Sequence, residues 1–274
     1  MERWMQFLQA GNPNLLRKNQ LNNNYGDWLS TISDADFGKS SLRKEQLATA
    51  YWAYDASLMA QMAGAAGRTD DAAKYTDLFE KIKAAYQKEY VLPDGHVKGE
   101  TQTCYLLSIY FNLMPENLRD TAAKILADDI KANGNHLTTG FIGVRNLCPV
   151  LTKMGYADLA YILLQNDTYP SWGYSIKQGA TTIWERWDGW TQEKGFQDPG
   201  MNSFNHYSLG SVGEWLFETV AGIDLDPEVP GFKRFVIHPI PGGGLTYARA
   251  QYNSISGMIE SGWKLDNGTL TLDV

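Results

Sequence analysis

The chain has 274 residues, 43% hydrophobic and 20% charged, a balance that fits a folded globular protein and excludes a disordered or fibrous one. Its 24 Lys and Arg stand against 31 Asp and Glu, for a net charge of -7 without any basic block, so the phosphate-neutralising surface of a nucleic-acid binder is not expected. No run reaches the length of a membrane span. The two cysteines, Cys104 and Cys148, lie in apolar stretches without metal-ligand spacing and read as core thiols.

Leu42, Leu47, Ala50, Tyr51, Tyr54, Leu58 and Met62 recur at three- and four-residue steps and predict a helix over 40–64, stopped by Gly64 and Gly67. Trp52 falls on this helix and reads first as a core residue, with a place in a binding wall as the rarer outcome. A second helix over 70–89 puts Tyr75, Leu78, Phe79, Ile82 and Tyr86 on one side. Further helices are expected over 101–113 and 116–133, divided at Met114-Pro115, then over 144–154 and 157–166, meeting at Gly155-Tyr156, and last over 207–221. Helices therefore come in pairs, and the polar or aromatic segments 22–36, 136–141 and 169–205 lie between the pairs, where loops carry function. After Gly222 the texture changes. Four prolines and Gly242-Gly243-Gly244 introduce short alternating runs, 257–265 and 269–274, that read as strands. Two parts are expected, a helical one over 1–222 and the start of a β-domain over 223–274.

The densest chemistry lies in 179–190, Gly-Ala-Thr-Thr-Ile-Trp-Glu-Arg-Trp-Asp-Gly-Trp, where Glu185 stands among Trp184, Trp187 and Trp190. Indoles stack on the apolar faces of sugars, and glycosidic bonds yield to carboxyl groups acting as acid, base or nucleophile. A buried tryptophan cluster, with Glu185 paired to Arg186 or another base, is the alternative; Asp188 could equally hold Arg186.

Four segments taken in order, Asn24-Tyr-Gly-Asp-Trp-Leu29, Thr138-Thr-Gly-Phe-Ile-Gly143, Tyr169-Pro-Ser-Trp-Gly-Tyr174 leading into Thr181-Thr-Ile-Trp-Glu-Arg-Trp-Asp188, and Asn202-Ser-Phe-Asn-His-Tyr-Ser-Leu-Gly210, resemble the catalytic domain of bacterial α-L-rhamnosidases of glycoside hydrolase family 78. Gly231-Phe-Lys-Arg-Phe-Val-Ile-His-Pro239 is similar to the entry of that family's C-terminal β-domain. The resemblance implies a mainly α fold, a partial (α/α)6 barrel of helical hairpins followed by a few strands. It also implies inverting hydrolysis of terminal α-L-rhamnosyl groups on an oligosaccharide or glycoside, without metal or cofactor.

By this likeness Glu185 matches the general base and His206 a histidine that contacts the sugar. Asp27 and Trp28 match a substrate-contacting pair, and Trp184 and Trp52 are candidates for the sugar wall. The residues alone also allow Gly26-Asp27-Trp28 to be a turn before a core tryptophan, and His206 to tie its loop to a helix end. The family's general acid belongs to an acid-rich segment before the Gly-Asp-Trp region, whereas the first twenty residues here carry only Glu2. A C-terminal fragment is therefore expected, inactive alone, with an exposed helical seam that favours self-association. Another (α/α)6 carbohydrate enzyme and a non-catalytic sugar-binding or scaffold module are the competing readings.

Overall fold

A computed structural model describes residues 1–18, 25–32 and 37–274, with the side chains of 37–41 left aside. The chain separates into two compact units, Met1–Val150 and Leu151–Val274.

The first unit holds α1 (Glu2–Gly11), α2 (Phe37–Ala65), α3 (Thr69–Tyr90), α4 (Gln102–Tyr110), α5 (Glu116–Ala132) and most of α6 (Phe141–Lys153). The α2–α3 hairpin turns at Gly67, whose φ of 70° suits a residue without Cβ, and the Arg68 amide closes the turn on the Ala63 carbonyl. On α3 the buried residues are Tyr75, Leu78, Ile82, Tyr86 and Tyr90, one stripe at helical spacing. Helices α2, α3 and α4 are joined by a buried polar chain. The Tyr86 hydroxyl accepts from Gln46 Nε2 at 2.8 Å and lies 2.7 Å from Ser108 Oγ, while Gln46 Oε1 accepts the Gly99 amide. These bonds satisfy polar groups that would be costly to bury unpaired. Thr101 caps α4 by accepting the Cys104 amide. Both cysteines are buried and free; burial pushes the Cys104 thiol up to about 11 and Cys148 to about 12. Helix α1 was not expected: it buries only Met5 and Leu8, too short a pattern to be read as a period.

The second unit continues with α7 (Ala157–Gln165), α8 (Trp172–Lys177) and the hairpin of β1 (Trp190–Thr191) and β2 (Gly195–Phe196). The helix expected over 207–221 is a composite of a 3-10 turn Ser208–Ser211, α9 (Val212–Trp215) and a π turn Leu216–Val220. Strands β3 (Ile223–Leu225) and β4 (Phe235–Ile237) pair antiparallel, as do β5 (Tyr247–Ser254), β6 (Gly257–Asp266) and β7 (Thr269–Asp273) in the order β5-β6-β7. Ile259, Ser261 and Trp263 of β6 are buried at every second position.

Within the second unit the β region is bonded to the helical residues before it. Tyr161 Oη donates to the Ile240 carbonyl at 2.6 Å, and Gln165 Nε2 to that of Gly243 at 2.8 Å. No helix among the described residues is long and apolar enough to cross a membrane.

Candidate active site

In the first unit the turn Gly26-Asp27-Trp28 is held by the segment that opens α6. Asp27 Oδ2 accepts from Thr103 Oγ1 at 2.5 Å and from the Gly140 amide at 2.7 Å; Oδ1 accepts the Ile142 and Gly143 amides at 2.9 and 3.2 Å. The last two are first-turn amides of α6, which otherwise lack partners in a helix. The carboxylate therefore works as a cap, with each oxygen filled twice by protein donors. Burial is the largest influence on Asp27 and pushes its carboxyl above the usual range, against the pull of these four bonds.

The two glycines of Thr138-Thr-Gly-Phe-Ile-Gly143 are explained by the same contact. A Cβ on Gly140 would lie 2.2 Å from the Trp28 carbonyl oxygen, and one on Gly143 would lie 2.2 Å from Thr103 Oγ1. Trp28 O accepts the Phe141 amide, and Ser30 Oγ donates to the Thr138 carbonyl at 2.7 Å, so the turn is fixed on both sides. The Trp28 indole remains 41% exposed and meets the Tyr25 ring edge-on, 5.4 Å between centroids. Asn24, which heads this motif, lies outside the described residues. Trp52 is 1% exposed and offers no face to a sugar, which corrects its expected place in the wall; the apolar stripe of α2 that flagged it buries it.

In the second unit Glu185 sits in a bend bonded to residues before the composite helix. Its amide donates to the Ser203 carbonyl at 2.8 Å, and the His206 amide donates to the Ile183 carbonyl at 2.9 Å. Between these, the Ser203 amide donates to Glu185 Oε2 at 2.8 Å in place of a ladder bond. The side chain is half-buried, and no ion pair reaches it among the described residues. Arg186 instead turns to Asp188, Nε to Oδ1 at 3.3 Å, so the pairing of Arg186 with Glu185 allowed by the sequence is not the one formed.

Trp184 and Trp187 are 7% and 5% exposed. Trp184 packs edge-on against Phe204 and Trp187 against Trp172. Both line an apolar hollow of about 340 Å³ together with Trp172, Ile183 and Leu209. His206 is half-buried; its Nδ1 accepts the Ser208 amide at 3.3 Å, at the start of the 3-10 turn, and its ring stacks on Tyr207. With Nδ1 accepting, a neutral ring carries its proton on Nε2. His96 and His136 make local contacts, to Asp94 and to the Asn133 carbonyl.

Sequence reasoning did not assign roles to Thr103, Gly140, Gly143 or Ser203, although three of these four lie in the quoted motifs. Gly140, Gly143 and Ser203 make their contacts through backbone amides, and Thr103 through its hydroxyl from outside those motifs.

Residues 1–220 match the model of the bacterial α-L-rhamnosidase six-hairpin glycosidase domain, and residues 222–274 that of the bacterial α-L-rhamnosidase C-terminal domain. The chain belongs to the bacterial α-L-rhamnosidase family. It is 46% identical over 269 residues to an α-L-rhamnosidase of Streptomyces avermitilis, across 98% of this chain and 25% of that protein. It is 38% identical over 276 residues to one of Formosa agariphila, across 100% of this chain and 29% of that protein. Its fold matches the crystal structure of the Streptomyces avermitilis α-L-rhamnosidase complexed with L-rhamnose with a TM-score of 0.90 at 45% identity, covering 99% of this chain and 25% of that one. The native Aspergillus terreus enzyme matches with a TM-score of 0.83 at 35% identity, over 91% of this chain and 29% of that one. The chain thus spans about a quarter of the length of the relatives it matches. In this family member the ordered motifs interlock in pairs: Gly-Asp-Trp with Thr-Thr-Gly-Phe-Ile-Gly, and Trp-Glu-Arg-Trp with Asn-Ser-Phe-Asn-His.

Proposed function

We propose that this chain is the part of an inverting α-L-rhamnosidase that carries the general base, Glu185, and that the enzyme acts on terminal α-L-rhamnosyl groups of an oligosaccharide or glycoside. The observation that carries this is the state of Glu185: half-buried, fixed through Oε2 by the Ser203 amide, and without a cationic partner among the described residues. A carboxylate so held keeps Oε1 for a water. It takes that water's proton as the oxygen attacks the anomeric carbon, while a protonated carboxyl roughly 6.5–9.5 Å away protonates the leaving oxygen. We assign the second carboxyl to a position outside residues 1–274, which span 25% of the Streptomyces avermitilis relative. Around the base, His206 serves a sugar hydroxyl and Trp184 supplies apolar wall. In the first unit Trp28 offers its exposed indole as a stacking face, and Asp27 acts through the turn it builds. The exposed, stacked pair Trp4 and Phe7 on α1 is proposed as the seam for self-association.

The test is Glu185→Gln in the full-length enzyme carrying this segment. Turnover of an aryl α-L-rhamnoside should fall by about 10²–10⁴-fold while rhamnose affinity holds, since only proton transfer is removed. Proton NMR of the wild-type reaction should show β-L-rhamnose first. Retained turnover in the variant, or α-L-rhamnose as the first product, would refute the assignment.

A further inference from the structure

The second unit contains a polar cleft of about 450 Å³ that the base and its neighbours do not use. It is built within residues 169–197: Tyr169 from the loop before α8, Tyr174 and Gln178 from α8, Asp188 from the turn after Glu185, and Gln197 after the β1–β2 hairpin. We propose that this cleft is a subsite for a neutral sugar, the one to which the rhamnosyl group is attached. This rests on the reading of Glu185 as the base.

The chemistry of the walls selects the ligand. Tyr169 and Tyr174 meet edge-on at 5.4 Å between centroids, and Tyr169 is 48% exposed, so an aromatic face is open to the apolar side of a pyranose. Burial raises the Tyr169 hydroxyl above its ordinary value, and Asp188 adds to the rise, which keeps it a hydrogen-bond donor. The side-chain amides of Gln178 and Gln197 both donate and accept, as the hydroxyls of a sugar do. Charge is nearly balanced: Asp188 is paired with Arg186, and Glu193 on the rim stands beside Lys194. A phosphate or uronate would find no surplus of cations here. The volume lies within the roughly 300–1,000 Å³ of small-molecule clefts.

Position ties the cleft to the reaction. Asp188 is three residues from Glu185, at most about 11 Å between Cα atoms. The segment between them is held by Ser175 Oγ on the Trp187 carbonyl at 2.8 Å, and the residue after Asp188 by Asn202 Nδ2 on the Gly189 carbonyl at 2.6 Å. A sugar in the cleft would therefore be placed against the base by a rigid turn, so that binding there aligns the scissile bond.

Tyr174→Ala and Gln197→Ala, made singly in the full-length enzyme, test this with two substrates. α-L-Rhamnosyl fluoride has a single-atom leaving group that cannot reach the cleft; a rhamnosyl-glucose disaccharide has a sugar there. For each variant kcat/KM on the disaccharide should fall about tenfold, as for the loss of one or two hydrogen-bonding or stacking contacts, with the fluoride unchanged. Equal losses on both substrates, or none on either, would overturn the subsite. If the wild type hydrolyses neither, it is the activity that fails. Calorimetry then decides the cleft: the disaccharide must bind, and Tyr174→Ala must weaken it about tenfold. No binding, or no weakening, overturns the proposal.

Discussion

Asp27 illustrates how one carboxylate can fix a turn through its protein contacts alone. It accepts four protein hydrogen bonds, yet burial outweighs them and leaves its carboxyl above the ordinary range. The folded state therefore holds the proton more readily than the unfolded chain. Its contribution to stability is fully present below the unfolded pKa and declines as pH rises from the ordinary carboxylate range through the folded value. Asp27→Asn cannot ionise, and its amide nitrogen must face two donors where an oxygen accepted them. The variant should lose about 2 kcal/mol from two unmade bonds, and its deficit against the wild type should be largest in acid and shrink toward neutral pH. Urea unfolding across that range is the check; an unchanged midpoint, or a deficit that grows with pH, would contradict this role.

Among the elements, the composite helix shows why its expected outline was only partly legible. Its last carbonyls are claimed from the β region: Thr219 O by the Ile240 amide, Val220 O by Trp263 Nε1 at 2.6 Å, Ala221 O by Ser261 Oγ at 2.6 Å, and Gly222 O by the His238 amide. A helix end with such partners need not keep regular spacing, and the Ala221 amide bonds five residues back, to Leu216. No local periodicity encodes partners forty residues away. Helices α3 and α5 were legible because each buries one stripe at helical spacing, whereas α4 is buried at every position from Gln102 to Ile109, and six-residue α8 and the two-residue strands β1 and β2 carry no period. Trp263→Phe keeps most of the ring and strands the buried Val220 carbonyl. A loss of about 1–3 kcal/mol is expected in thermal or urea unfolding, and a neutral result would show that water or another donor serves that carbonyl.

At the scale of the whole molecule, the candidate site was legible as ordered motifs and illegible as contacts. Glu185 could be flagged because a carboxylate among tryptophans is chemically pointed, and His206 because its Asn-His-Tyr segment resembles the family's. What holds them, the Ser203 amide on Oε2 and the Ser208 amide on Nδ1, is backbone, which any sequence supplies. The chain spans about a quarter of its relatives' length, and protonation of the leaving oxygen is assigned to a carboxyl outside it. Under the proposed role, Glu185 alone would activate water but would not make the sugar oxygen a good leaving group. Residues 1–274 alone should therefore turn over an aryl α-L-rhamnoside at least about 10²-fold more slowly than the full-length enzyme. α-L-Rhamnosyl fluoride, whose leaving group needs no proton, should narrow that gap if the base is properly placed. The same preparation should gain mass with concentration in sedimentation, through exposed Trp4 and Phe7, and Trp4→Glu should abolish that gain. Full activity of the isolated chain would bring the acid inside it, and a concentration-independent monomer would remove the seam.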